Sequence, residues 1–206
     1  MKVVFVMRHA GYVRNFESTL RQLCDRGHQV HVAFQGKVKY AQLDPIGIAG
    51  QLSSQYANFS SGEIPLRADG CGLLGREVRL GLDYLRYSRP EYENAPKLRA
   101  RARREAPPSV LSRAERGATS SGLGRAALRT WLRGVNRAIP PDPQIADVIR
   151  SMKPDVLALT PLIEPGSPQA EYVRSARALG VRTAFCVASW DNLTNKGLIH
   201  GDVDLV

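Results

Sequence analysis

The 206-residue sequence predicts an α/β fold, a doubly wound and mostly parallel sheet interrupted by a largely helical, basic insertion. Three observations carry that prediction. Short β-branched apolar runs alternate with amphipathic helical spacing at both ends of the chain; the spacing turns helical from about Cys71 to Arg137; and most of the net positive charge falls in that middle stretch.

The first run, KVVFVM at 2–7, is too short for a helix and ends in the polar loop RHAGYVRN, so it predicts a buried strand. Asn15 is placed to cap the next helix, whose Phe16, Leu20, Leu23 and Cys24 fall at i, i+4, i+7 and i+8 before a stop at Gly27. HQVHVAF at 28–34 alternates as a second strand, giving a strand, helix, strand unit with a parallel, right-handed crossover. A further strand is predicted near SQYANF, at 54–59. Leu73, Leu74, Val78, Leu82 and Leu85 then trace one amphipathic helix. Pro, Ser and Gly punctuate EAPPSVLSRAERGATSSGLG, which predicts a partly mobile stretch within an insertion spanning 60–140. The α/β grammar returns with IADVIRSMK as a helix and PDVLALT as a buried strand. SPQAEYVRSARALG follows as a helix with Ser167 as cap, Pro168 in its first turn and Gly180 as stop. VRTAFCVA is the next strand, SWDNLTNKG a loop or helical turn, and DVDLV the opening of another strand. The whole reads as one Rossmann-like domain over 1–206.

Charge and cysteines narrow the function classes. Lys97 to Arg137 holds eleven Lys and Arg against two acids, so it carries nine of the ten net positive charges. Any argument about anionic partners therefore concerns that segment. Cys24, Cys71 and Cys186 form neither a CxxC pair nor a spacing suited to metal ligation, which predicts a reduced, cytoplasmic setting and no metal. The N-terminal apolar run is five residues long and is followed by Arg8 and His9, unlike a secretory leader. No GxGxxG or GxxxxGK[ST] loop occurs, so no nucleotide cofactor is expected.

Doubly wound sheets bind ligands outside the carboxyl ends of their strands, and three loops of this sequence fall there. The first carries Arg8, His9, Gly11 and Arg14: an imidazole titrating near neutral pH is a candidate general base, and the arginines are candidates for an anionic acceptor group. A hydrogen-bonding His and solvated arginines are the bland reading. Glu164, after the PDVLALT strand, is a second catalytic candidate. The third loop gathers Ser189, Asp191, Asn192 and Lys196 as candidate acceptor ligands, although Ser189 or Asp191 capping a one-turn helix explains the same composition. Arg125, Arg129, Arg133 and Arg137 recur every four residues, a stripe whose like charges repel by a few tenths of a kcal/mol per pair. An anion or a membrane surface would offset that repulsion, with Trp131 at a headgroup boundary; a solvated helix face is the default.

The N-terminal KVVFVMRHAGYVRNFESTLRQLCDRGHQVHVAF, the block SWDNLTNKG and the closing DVDLV together resemble the first half of GT-B-fold glycosyltransferases. They resemble especially the branch near surface-polysaccharide transferases and CDP-glycerol glycerophosphotransferases. Phe16, Leu20, Leu23, Arg26, Gly27, His28 and Val30 match the pattern of a helix ending in RGHxV before the second strand, whereas 60–140 matches nothing recognisable. The resemblance implies two Rossmann-like domains facing a cleft, the first holding the acceptor and the second a nucleotide-activated donor. On that reading the chain is the acceptor-side piece of a two-domain protein and is inactive without the donor domain. By position His9 resembles the catalytic His that some of these enzymes place after the first strand, while other branches use an acid.

The expected function is thus acceptor binding in transfer of a sugar or related group from a nucleotide-sugar donor. Its acceptor is expected to be a carbohydrate or a phosphorylated lipid, handled in the cytoplasm with peripheral contact at the inner membrane face. The alternative is a stand-alone α/β binding module whose basic segment binds RNA or anionic lipid. Nucleic acid is disfavoured, because no RRM or KH signature is present and aromatics are sparse in the basic segment.

Overall fold

The computed structural model describes residues 1–35, 47–118 and 120–206. Five strands, β1 (Lys2–Met7), β2 (Gln29–Gln35), β3 (Phe59–Ile64), β4 (Val156–Thr160) and β5 (Arg182–Phe185), form one sheet in the order β3-β2-β1-β4-β5. Every pairing is parallel. The strand order reverses between β1 and β4, the doubly wound, Rossmann-like topology that the alternating ends of the sequence predict.

Both faces of the sheet are covered, which is why β1 reads as an unbroken apolar run. Phe5 and Met7 point into a core with Val13, Phe16, Leu20 and Cys24 of α1 (Val13–Asp25) and Ile48 and Leu52 of α2 (Ile48–Gln55). Val4 and Val6 point the other way, against Ile145 and Ile149 of α7 (Pro143–Met152) and Tyr172, Val173 and Ala176 of α8 (Gln169–Ala178). Gly27 and Gly180 lie at φ +77° and +69°, the left-handed conformation expected where these helices stop.

Between β3 and β4 the chain builds a separate helical layer. Its members are α3 (Gly70–Tyr87), α4 (Pro96–Glu105), α5 (Pro108–Arg113) and α6 (Gly122–Ala138). Val78, Leu82 and Leu85 of α3 pack with Val110, Leu128 and Leu132 in a third core. The bolt between this layer and the sheet is polar: Arg79 Nη1 donates to Glu171 Oε1 at 2.6 Å and Arg67 Nη1 to Glu171 Oε2 at 2.9 Å. The Arg79 and Glu171 side chains are 1% and 2% exposed.

Several local expectations are corrected. Asn15 does not cap α1, because a 3-10 turn at Ala10–Tyr12 runs straight into the helix at Val13. Most of SQYANF is not strand: Ser54 and Gln55 end α2, and β3 starts only at Phe59. The insertion is accordingly shorter than 60–140, since 59–64 belongs to the sheet. Leu73 and Leu74 are 68% and 45% exposed, leaving Val78, Leu82 and Leu85 as the buried stripe of α3. α8 starts at Gln169, so its N-cap is Pro168 rather than Ser167, although Ser167 Oγ accepts from Gln169 N at 3.3 Å. DVDLV begins a further parallel pairing, with a single bridge between Ala184 and Leu205.

Candidate functional site

The loop after β1 opens one side of a cleft at the carboxyl rim of the sheet. Arg8 N donates to Thr160 O at 3.3 Å, carrying the β1–β4 ladder one step further before the chain turns. Tyr12 N then donates to His9 O at 3.1 Å and starts the helical turn that feeds α1. That turn stacks the His9 and Tyr12 rings, with centroids 4.7 Å apart and planes at 46°.

The loop after β5 opens the other side. Trp190–Leu193 forms a single 3-10 turn, and residues 193–197 after it are held by side chains of α3, by Arg101 of α4, which donates to Asn195 O, and by the Ile163 carbonyl. The Arg86 guanidinium donates to the carbonyls of Leu193 and Thr194 at 3.3 Å, Gly197 at 3.2 Å and Lys196 at 3.4 Å. Arg86 lies against the rings of Tyr87 and Tyr92, and the Tyr87 hydroxyl also donates to Lys196 O. Asp83 completes the clamp: its carboxylate accepts from Leu198 N at 2.7 Å and from Gly166 N at 3.3 Å, and bonds His200 Nε2 at 2.9 Å. Gly197 is demanded by this close approach, since a Cβ there would stand 2.9 Å from both Asp83 Oδ2 and Ile163 O.

His9, Gly11 and Tyr12 from the first loop and Arg14 and Asn15 from the first turn of α1 meet Ala188, Ser189 and Lys196 from the last loop around a cavity of about 290 Å³. Five of the sequence-predicted residues, His9, Gly11, Arg14, Ser189 and Lys196, are thereby brought together. Arg8 and Glu164 do not line the cavity; they form an ion pair beside it. The side chains of Asp191 and Asn192 lie outside the described residues, so their predicted ligand and capping roles are not assigned. Tyr12 and Asn15 enter the cleft without having been singled out for it.

Electrostatics suit the imidazole to proton acceptance. Burial, then the Arg8 guanidinium, pushes the His9 pKa below its ordinary 6.5, while Glu164 pulls it up and Arg14 pushes it down. The ring is therefore neutral at pH 7, the form a general base needs. Cys186, at the end of β5, is pushed up to about 11 by burial, so it remains a thiol and is unsuited to nucleophilic attack. Trp190, in the 3-10 turn of the β5 loop, is 84% exposed.

The arginine stripe on α6 does not form one face. Arg125 and Arg129 turn toward the α3–α4 connection, Arg137 toward α8, and Arg133 is solvent-exposed. Trp131 is half exposed and lies under Arg113, whose guanidinium carbon is 5.3 Å from the ring centroid. Among the described residues no group of three or more His, Cys, Asp or Glu could hold a metal ion, and no helix is long and apolar enough to cross a membrane.

No family model and no curated protein matches the chain. Among solved structures, the crystal structure of glycosyltransferase VinC in complex with dTDP is similar at 14% identity and a TM-score of 0.38. The match covers 93% of this chain and 36% of that one, so the chain spans about a third of the length of the protein it matches. A likeness that distant assigns no residue a role.

Proposed function

We propose that the chain is the acceptor-binding α/β domain of a transferase that moves a sugar or related group from a nucleotide-activated donor to a hydroxyl acceptor. The observation that carries this reading is the convergence of two loops, from β1 and β5, on one rim cavity with a neutral-leaning His9 in its wall. His9 takes the proton of the acceptor hydroxyl as that oxygen bonds to the donor's anomeric carbon; the bond from that carbon to the nucleotide leaving group breaks, and His9 returns its proton to solvent. Arg14, Ser189 and Lys196 orient the acceptor, which is a carbohydrate or a phosphorylated lipid. Glu164 is the poorer base because its carboxylate is committed to Arg8. The donor is held by a second α/β domain, and three free cysteines suit a cytoplasmic setting.

The test is a pH–rate profile of the natural protein beside His9→Ala. Loss of a general base lowers kcat by about two to four orders of magnitude. Because the His9 pKa is depressed, the acid limb of kcat/KM in the parent should have its midpoint below pH 6.5, where the imidazole becomes protonated. An unchanged rate, or an acid limb that persists in His9→Ala, removes His9 from the mechanism.

A further inference from the structure

A second cavity, of about 270 Å³, opens between the α3–α4 connection and the first two turns of α6. It shares no lining residue with the cleft. Arg89 from the α3–α4 connection and Arg125 and Arg129 from α6 line it, together with the apolar Leu85, Pro90 and Ala126. The one acid in the lining, Glu91, pairs with Arg89 at 2.7 Å, but both side chains are at least half exposed and so gain little from the contact. Three guanidinium groups and one carboxylate thus line the cavity, and two of the arginines stand at i, i+4 on α6, where like charges repel.

The arginines at the other end of α6 are spent differently. There the neighbouring arginines belong to α8: Arg174 donates to the carbonyls of Asn136 and Ile139 at 2.7 and 3.0 Å, and Arg177 faces Asp202. Among the described residues Arg129 forms no ion pair, and guanidinium forks match the oxygens of phosphate.

We propose that the Arg89–Arg125–Arg129 cavity binds a phosphate group. The guanidinium groups bind the phosphoryl oxygens of a phosphomonoester and of inorganic phosphate alike, and Leu85, Pro90 and Ala126 offer apolar contact to the carbon end that only the ester has, so headgroup and soluble ion share the chemistry. This goes beyond the transfer reading and stands if that reading falls.

The experiment titrates the 206-residue chain at low salt with two probes: inorganic pyrophosphate by calorimetry, and vesicles of phosphatidylcholine doped with phosphatidic acid by co-sedimentation. Arg129→Gln and Arg89→Gln should each weaken binding about ten- to a hundredfold, the cost of one charged hydrogen-bonding partner. Arg129→Lys, which keeps the charge and loses the fork, should fall between. Arg133→Gln, one turn further along the same stripe and outside the cavity, should change affinity less than twofold. Pyrophosphate binding with this pattern supports a soluble phosphate, and vesicle binding alone with this pattern supports a lipid headgroup. Binding of neither probe overturns the proposal. So does an Arg133→Gln loss as large as that of Arg129→Gln, since diffuse charge would then suffice.

Discussion

The sheet and the helical layer inserted between β3 and β4 are held together by opposite means. In the sheet, alternate residues of each strand fill two apolar cores, and a side chain such as Leu159, fully buried between its neighbours, contributes through area and packing alone. The inserted layer has an apolar core of its own, but it meets the sheet and the cleft loops through charges: Glu171 with Arg67 and Arg79, Asp83 with Gly166, Leu198 and His200, and Arg86 with the 193–197 carbonyls. Apolar packing tolerates small shifts, whereas these contacts fix distances and directions. The lesson is that the shape of the cleft is set by the insertion although the cleft's residues belong to the sheet's loops.

Three substitutions press on that contrast. The largest effect is expected at Glu171. Glu171→Ala leaves Arg79 buried with no carboxylate and should cost about 3–5 kcal/mol in denaturant unfolding, as breaking a buried pair does. Leu159→Ala in the sheet core should cost about 2–5 kcal/mol by cavity formation. A Glu171→Ala cost below 1 kcal/mol would mean that the insertion is held by its apolar core instead. Arg86→Ala should be milder, under about 1.5 kcal/mol globally, because its four carbonyl bonds are long and partly exposed. Its signature is local: amide exchange should quicken across 193–198 and stay unchanged in β1 and β4. Uniform quickening would contradict the clamp.

What the sequence disclosed follows the same divide. Period-2 and period-3.6 apolar patterns read out β1, α1, β2, α7, β4 and α8 because burial on one face or two leaves that imprint directly. The cleft's loops were legible by position, since they follow strands of a doubly wound sheet. Asp83 and Arg86 were not, because a charge that clamps a distant loop looks locally like a solvated one. A signal did exist: Arg79, Asp83 and Arg86 repeat at i, i+4 and i+7, one residue behind the buried Val78, Leu82 and Leu85, so three charges border an apolar stripe. The arginine stripe misled for a related reason. Four-residue spacing drifts about 40° per step around a helix, enough over twelve residues to carry Arg125 and Arg137 into different neighbourhoods. Asn15 has the chemistry of a cap, yet the 3-10 turn before α1 already uses that stretch of backbone.

The central claim is that the β1 and β5 loops form a single acceptor site. Amide chemical shifts of the 206-residue chain, followed during titration with a panel of oligosaccharides and then with nucleotide sugars, test it most directly. The account predicts that an acceptor-like glycan moves His9, Gly11, Ser189 and Lys196 together with one saturation curve, while nucleotide sugars leave them in place. Nucleotide sugars shifting these amides, or glycans shifting one loop without the other, would contradict it.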